Sequence, residues 1–211
     1  MIHVETFTLG MFQVHTYVLW DDNTRQSVII DAGLNPQPVL AFLQREGLSP
    51  QHLFLTHAHI DHVEGHAALT EALPGLRLYM HPEESFWLDN LALQANMFHM
   101  QAPAKPTVDV PVADGDSFAF DTFNVVARHA PGHAPGSICY HVPEAELMFV
   151  GDVIFAGSIG RTDFPKGDHA TLLNAIDRVV LSLPDATRLY PGHGPSTTVG
   201  VERRSNPFLV G

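Results

Sequence analysis

Between residues 52 and 62 the chain passes in one step from an apolar run to Thr56-His57-Ala58-His59-Ile60-Asp61-His62. The run reads as a short buried strand, and residues 62–73 read as a helix, so the polar cluster occupies a strand-to-helix turn. Side chains two apart in extended backbone project to the same side, which places His57 and His59 on one face. Asp61 and His62 open the next turn and point to a second location beside the first. Imidazole nitrogens and carboxylate oxygens suit zinc, iron or manganese. In a chain with 14 histidines and 14 aspartates, chance supplies roughly 0.004 such H-x-H-x-D-H windows. A solvated loop with scattered histidines is therefore a poor account of it.

Three later stretches repeat the device of a strand ending in a small-residue turn that carries a metal-competent side chain. They are Ala130-Pro131-Gly132-His133-Ala134-Pro135-Gly136, Val150-Gly151-Asp152 and Tyr190-Pro191-Gly192-His193-Gly194-Pro195. Gly and Pro hold an unusual backbone and let a side chain emerge at the end of a sheet. Taken singly, each could be a capping or solvated side chain. Together with the first motif they supply five histidines and two aspartates. Seven ligands exceed one zinc and suit two, with one carboxylate bridging.

The rest of the chain is consistent with a fold that gathers strand ends. Residues 2–9, 12–20 and 27–31 read as a β-meander, broken by Gly10 and by Asp21-Asp22-Asn23. A helix over about 36–46 follows, stopped by Gly47, then strands at 52–56 and 77–80. Residues 83–100 form one or two helices, and 102–106 a loop. Strands return at 117–120, 123–130, 137–142 and 147–150, followed by a helix over 169–183 and a strand over 187–190. The tail, 197–211, reads as a short helix and a docked end. Two runs of strands with intervening helices point to an α+β, four-layer αββα sandwich of two mixed sheets with outer helices. With no internal repeat and no low-complexity linker, residues 1–211 read as one domain.

Composition narrows the function. The chain of 211 residues carries 14 histidines, more than its 11 lysines and arginines together, and a formal charge of −12. Nucleic acid and anionic membrane surfaces are bound through Lys and Arg, so neither is an expected partner. No apolar run reaches membrane-span length, and the first residues lack the pattern of a secretory signal. The single Cys139 excludes an internal disulfide and fits a cytoplasmic setting.

The H-x-H-x-D-H motif with a later His, Asp and His resembles the metallo-β-lactamase fold superfamily. The resemblance implies one metal on His57, His59 and His133, a second on Asp61, His62 and His193, and Asp152 bridging. Zinc is the expected metal, with iron or manganese as alternatives. Gly157-Ser158-Ile159-Gly160-Arg161-Thr162-Asp163-Phe164 and the ending Glu202-Arg203-Arg204-Ser205-Asn206-Pro207-Phe208-Leu209 resemble short bacterial glyoxalase II-like hydrolases. These are relatives of hydroxyacylglutathione hydrolase. Longer glyoxalase II enzymes carry a C-terminal helical domain that helps bind glutathione, and this chain is expected to lack it.

The implied activity is hydrolysis of a small acyl thioester such as S-D-lactoylglutathione, by attack of a metal-bridging hydroxide. A thiolate with a pKa near about 8.5 leaves readily, so no strong general acid is needed. Asp61 doubles as ligand and as the group that orients the nucleophile. Arg161 and Lys166 are candidates to meet a substrate carboxylate, and Arg203 and Arg204 are lesser ones. Phe86, Trp87 and Met97 either form a lid or pack a helix onto the sheet. Asp31, in Ile30-Asp31-Ala32-Gly33, is a candidate to hydrogen-bond a metal-bound histidine, with turn capping as its alternative. His129 is either a brace for the His133 turn or purely structural. His3, His15, His52, His66, His81, His99, His141 and His169 match no ligand position, and Cys139 reads as buried and inert.

The main rival is a mononuclear-iron persulfide dioxygenase of the same fold, using His57, His133 and Asp152. A lactonase or other ester hydrolase needs only another pocket shape. A serine hydrolase is disfavoured by the lack of a G-x-S-x-G elbow, and a nuclease by the charge. A non-catalytic metal-binding module predicts gaps in the ligand set, and the sequence has none. Oligomeric state is open.

Overall fold

The computed structural model describes residues 1–210, in two compact units: Met1–Pro111, and the remainder from Val112. Gly211, the end of the expected tail, lies outside the described residues.

The first unit is built on a six-stranded mixed sheet. Strands β1 (Ile2–Leu9), β2 (Val14–Asp21) and β3 (Ser27–Ile30) form the antiparallel meander. Strands β4 (His52–Phe54), β5 (Arg77–Met80) and β6 (Val110–Pro111) then extend it in parallel, in the order β1-β2-β3-β4-β5-β6. Parallel neighbours require crossovers, and helices supply them. Helix α1 (Gln37–Glu46) ends at Gly47 in the left-handed conformation and buries Val39, Phe42 and Leu43. The Phe42 ring meets Phe7 and Trp20, at 5.5 and 5.1 Å between centroids, which seats α1 on β1 and β2.

The helix expected over 62–73 is instead two, α2 (Ile60–Val63) and α3 (His66–Ala72). The break has a backbone cause. Ala32 N–H donates to the His62 carbonyl and Gly65 N–H donates to the Ala32 carbonyl, both at 2.8 Å. A Cβ on Gly65 would lie 2.0 Å from the Gly33 carbonyl oxygen, so only glycine permits this approach. The chain also leaves β3 one residue early, because Asp31 adopts φ 59. Residues 83–100 form two helices, α4 (Ser85–Asp89) and α5 (Leu91–Met97), after a 3₁₀ turn at Pro82–Glu84.

The second unit carries another six-stranded mixed sheet. In chain order its strands are β7 (Ser117–Ala119), β8 (Asn124–His129), β9 (Ile138–Val142), β10 (Leu147–Gly151), β13 (Arg188–Pro191) and β14 (Thr197–Thr198). Among the described residues of this sheet only β10 and β13 pair in parallel, and the sheet order is β14-β13-β10-β9-β8-β7. Their crossover contains a small hairpin, β11 (Ile154–Phe155) with β12 (Ser158–Ile159), and then α6 (His169–Ala175). The helix expected to run to residue 183 widens after α6 into a π turn, Ile176–Val180. The Leu181 and Leu183 carbonyls beyond it accept from Arg203 at 2.5 and 3.1 Å. Leu172, Ile176, Val179 and Val180 pack with Met148, Val150 and Leu189 as this unit's core. Helix α7 (Val199–Ser205) is followed by a turn in which Leu209 and Val210 N–H donate to the Asn206 carbonyl. Each unit thus joins a mixed sheet to helices, the α+β class expected.

Candidate metal centre

In the first unit the ligand-bearing segment starts where the sheet stops. Leu55 N–H makes the last ladder-like bond, to the Tyr79 carbonyl at 2.9 Å. Thr56 N–H then donates to Asp31 Oδ1 and Thr56 Oγ1 donates to Asp31 Oδ2, each at 2.8 Å. Because that hydroxyl proton is committed to Asp31, Thr56 Oγ1 faces His57 Nδ1, 3.1 Å away, as an acceptor. Nδ1 of His57 therefore carries the ring proton, and Nε2 carries the lone pair. That Nε2 stands 3.0 Å from Nδ1 of His59.

Asp31 also accepts from His62 Nδ1 at 2.8 Å, with both side chains buried. This fixes the His62 tautomer and turns its Nε2 towards Asp61 Oδ2, 3.8 Å away. Asp31 makes these bonds from a left-handed backbone, a conformation uncommon for a non-glycine residue, and the three bonds hold it in place. Beside this cluster Glu64 is half-buried. That burial, with the Asp61 carboxylate adding to it, pushes Glu64 up to about 7.

In the second unit, His133 stands on the turn between β8 and β9, Asp152 just past β10, and His193 just past β13. Gly192 N–H donates to the Gly151 carbonyl at 2.8 Å, which ties the two strand ends together. Gly132, at φ 129, has no room for a Cβ, which would meet the Leu172 amide nitrogen at 2.3 Å. His133 Nδ1 donates to the Arg161 carbonyl at 2.8 Å, leaving Nε2 3.7 Å from Asp152 Oδ2. His193 Nε2 lies 3.6 Å from the same oxygen.

These spacings fit a metal. With metal–ligand bonds of about 2.0–2.2 Å, neighbouring ligand atoms on a tetrahedral ion stand about 3.3–3.6 Å apart. The His193–Asp152 separation of 3.6 Å falls in that range, and the others, 3.0, 3.7 and 3.8 Å, lie within about 0.3 Å of it. In His57, His62 and His133, moreover, a fixed Nδ1–H leaves Nε2 as the donor atom.

The other sequence candidates have the following surroundings. The Arg161 guanidinium is held by Asp163 through two 2.7 Å bonds and covers the Phe164 ring at 3.8 Å. That pair holds the Asp163 carboxyl down at about 2. Lys166 is exposed, with φ 70. Arg203 and Arg204 are both paired with Asp185, so they brace α7. The His129 ring bonds the Pro135 carbonyl at 2.9 Å and so holds the His133 turn. Trp87 is buried edge-on to His59, 4.5 Å between centroids, whereas Met97 is exposed, so this helical pair supports the motif from one side. Burial pushes the Cys139 thiol up to about 12.

Sequence reasoning missed two residues. Ala58 N–H donates to Glu84 at 2.7 Å and Ile60 N–H to Gln94 at 2.9 Å. A signal for Gln94 existed: it shares the buried face of α5 with Leu91 and Ala95, while Leu93 and Met97 are exposed. A polar residue on the inner face and apolar ones outside invert the usual pattern.

A family model described as the metallo-beta-lactamase superfamily matches residues 9–193. The chain is 35% identical to a Haemophilus influenzae protein named hydroxyacylglutathione hydrolase GloC, over 99% of this chain and 98% of that one. It is 32% identical to the human mitochondrial persulfide dioxygenase ETHE1, over 92% of this chain and 71% of that one. Among solved structures it is similar to the BLEG-1 B3 metallo-beta-lactamase, with TM-score 0.92 and 36% identity over 99% of this chain and 100% of that one. It is also similar to TTHA1623 in a di-iron-bound form, with TM-score 0.86 and 40% identity over 97% of this chain and 100% of that one.

Proposed function

This chain belongs to the metallo-β-lactamase superfamily and is a metal-dependent enzyme of that fold, and we propose that it hydrolyses a small acyl thioester such as S-D-lactoylglutathione. The proposed ligands are those the family pattern assigns: His57, His59 and His133 for one ion, Asp61, His62 and His193 for the other, and Asp152 shared. Zinc is the proposed metal, although a similar structure holds two irons. Bound divalent cations supply a Lewis acid for the acyl carbonyl and bring the pKa of water down to about 7.

The chain's own residues do the rest. Thr56, Asp31 and the Arg161 carbonyl hold the Nδ1 protons of His57, His62 and His133, so each ring offers Nε2 without rearrangement. Asp61, only slightly exposed, is proposed to orient the attacking water and take its proton. The departing thiolate needs no strong acid. Arg161 and Lys166 are proposed to meet a substrate carboxylate, Arg161 by exchanging Asp163 for it.

The observation that carries the dinuclear reading is the Asp61–His62 pair with His62 anchored on buried Asp31. A mononuclear site built from His57, His133 and Asp152 has no use for that anchoring. The dioxygenase remains the second reading because of the similarity to the human persulfide dioxygenase. The test compares metal-loaded and chelated protein on S-lactoylglutathione, and in oxygen uptake with a glutathione persulfide. The proposal expects metal-dependent thioester cleavage; oxygen uptake without hydrolysis contradicts it.

A further inference from the structure

Once β4 ends, the backbone that carries the proposed ligands has no neighbouring strand, yet it is buried. Its alternate amides are taken by side chains instead: Thr56 N–H by Asp31, Ala58 N–H by Glu84 and Ile60 N–H by Gln94, at 2.8, 2.7 and 2.9 Å. All three side chains are buried, at 1%, 0% and 4% exposure. Alternation follows from extended backbone, where N–H groups two residues apart point to the same edge. The three acceptors therefore stand in for a missing sheet partner, and the intervening residues, His57 and His59, are the ligands.

Gln94 is fixed in turn. Its Nε2 donates to the Trp87 carbonyl at 2.9 Å and reaches the Ala58 carbonyl at 3.5 Å. It thus grips the segment at both an N–H and a C=O, and anchors it to α4. Trp87, whose carbonyl receives that bond, lays its ring edge-on to His59.

We infer that Glu84 and Gln94 are positioning residues that hold the His57–Asp61 segment in its ligand geometry before metal arrives, and so set metal affinity. The inference rests on the reading that His57, His59 and Asp61 bind metal. A ligand loop that must be ordered at the moment of binding loses affinity by the ordering cost, whereas a pre-clamped one does not.

Zinc(II) affinity, measured on the purified chain by competition with a chromophoric chelator, tests it. Gln94→Met keeps length and removes both the acceptor and the donor; Glu84→Ala removes the acceptor for Ala58. Each is expected to weaken zinc binding by about 10–100-fold. Glu84→Gln, which keeps an oxygen for the Ala58 amide, is expected to restore affinity to within about threefold of wild type by the same reasoning. A merely structural role would lower the thermal midpoint of the metal-free protein and leave the zinc affinity of the folded fraction unchanged. That outcome, or equal affinities for Glu84→Ala and Glu84→Gln, overturns the inference. If the unaltered chain binds no zinc, the reading of the site fails first, and the two failures are told apart by that control.

Discussion

Asp31 does more than any other single residue to prepare this site, because one carboxylate fixes an amide, a hydroxyl and an imidazole. Asn tolerates the left-handed backbone at φ 59, but its single oxygen cannot serve both Thr56 N–H at one carboxylate position and Thr56 Oγ1 with His62 Nδ1 at the other. Asp31→Asn is therefore expected to fold and to lose about 10–100-fold in metal affinity. Asp31→Ala leaves buried donors unsatisfied, at about 1–3 kcal/mol each, and should lower stability as well. Chelator competition and urea unfolding of the two variants separate these effects. At Arg161 the expectation concerns substrate. Arg161→Gln should raise KM for S-lactoylglutathione with kcat little changed, and Asp163→Asn, which releases the guanidinium, should lower it. Steady-state kinetics on both variants checks the pair, and matching shifts in one direction contradict the role.

At the level of elements, the sequence conveyed the strands better than the helices. Residues 2–9 and 77–80 are strands as their β-branched and apolar content suggests. The break between α2 and α3 was not legible, because it depends on backbone bonds to Ala32, which is distant in sequence. The three-acceptor edge was likewise hidden: Glu84 reads locally as an ordinary acid in a first helical turn. The two-residue strands β6, β11, β12 and β14 carry too few residues for any periodicity to register. Gly65 offers the sharpest check of this packing. Gly65→Ala forces its Cβ against the Gly33 carbonyl, so α2 must shift. A loss of about 3 kcal/mol is expected from overpacking at such a contact. Urea denaturation reads it directly, and a neutral substitution would show that the backbone there yields.

Across the whole molecule, the family match over residues 9–193 and the wealth of histidine express one economy: the ligand types are common in the chain, and the backbone decides which of them act. Among the described residues no helix is long and apolar enough to cross a membrane. If the site takes up the two cations proposed for it, the charge of −12 need not repel a small anion there, since local ions outweigh distant screened carboxylates. On the proposed reading, a dinuclear thioester hydrolase uses Asp61, His62 and His193 as ligands, and a mononuclear dioxygenase does not. Elemental analysis of the purified chain measures that most directly. The account predicts two divalent metal ions per chain, falling to one or fewer in His62→Ala. One iron per chain, unchanged in that variant, would contradict it.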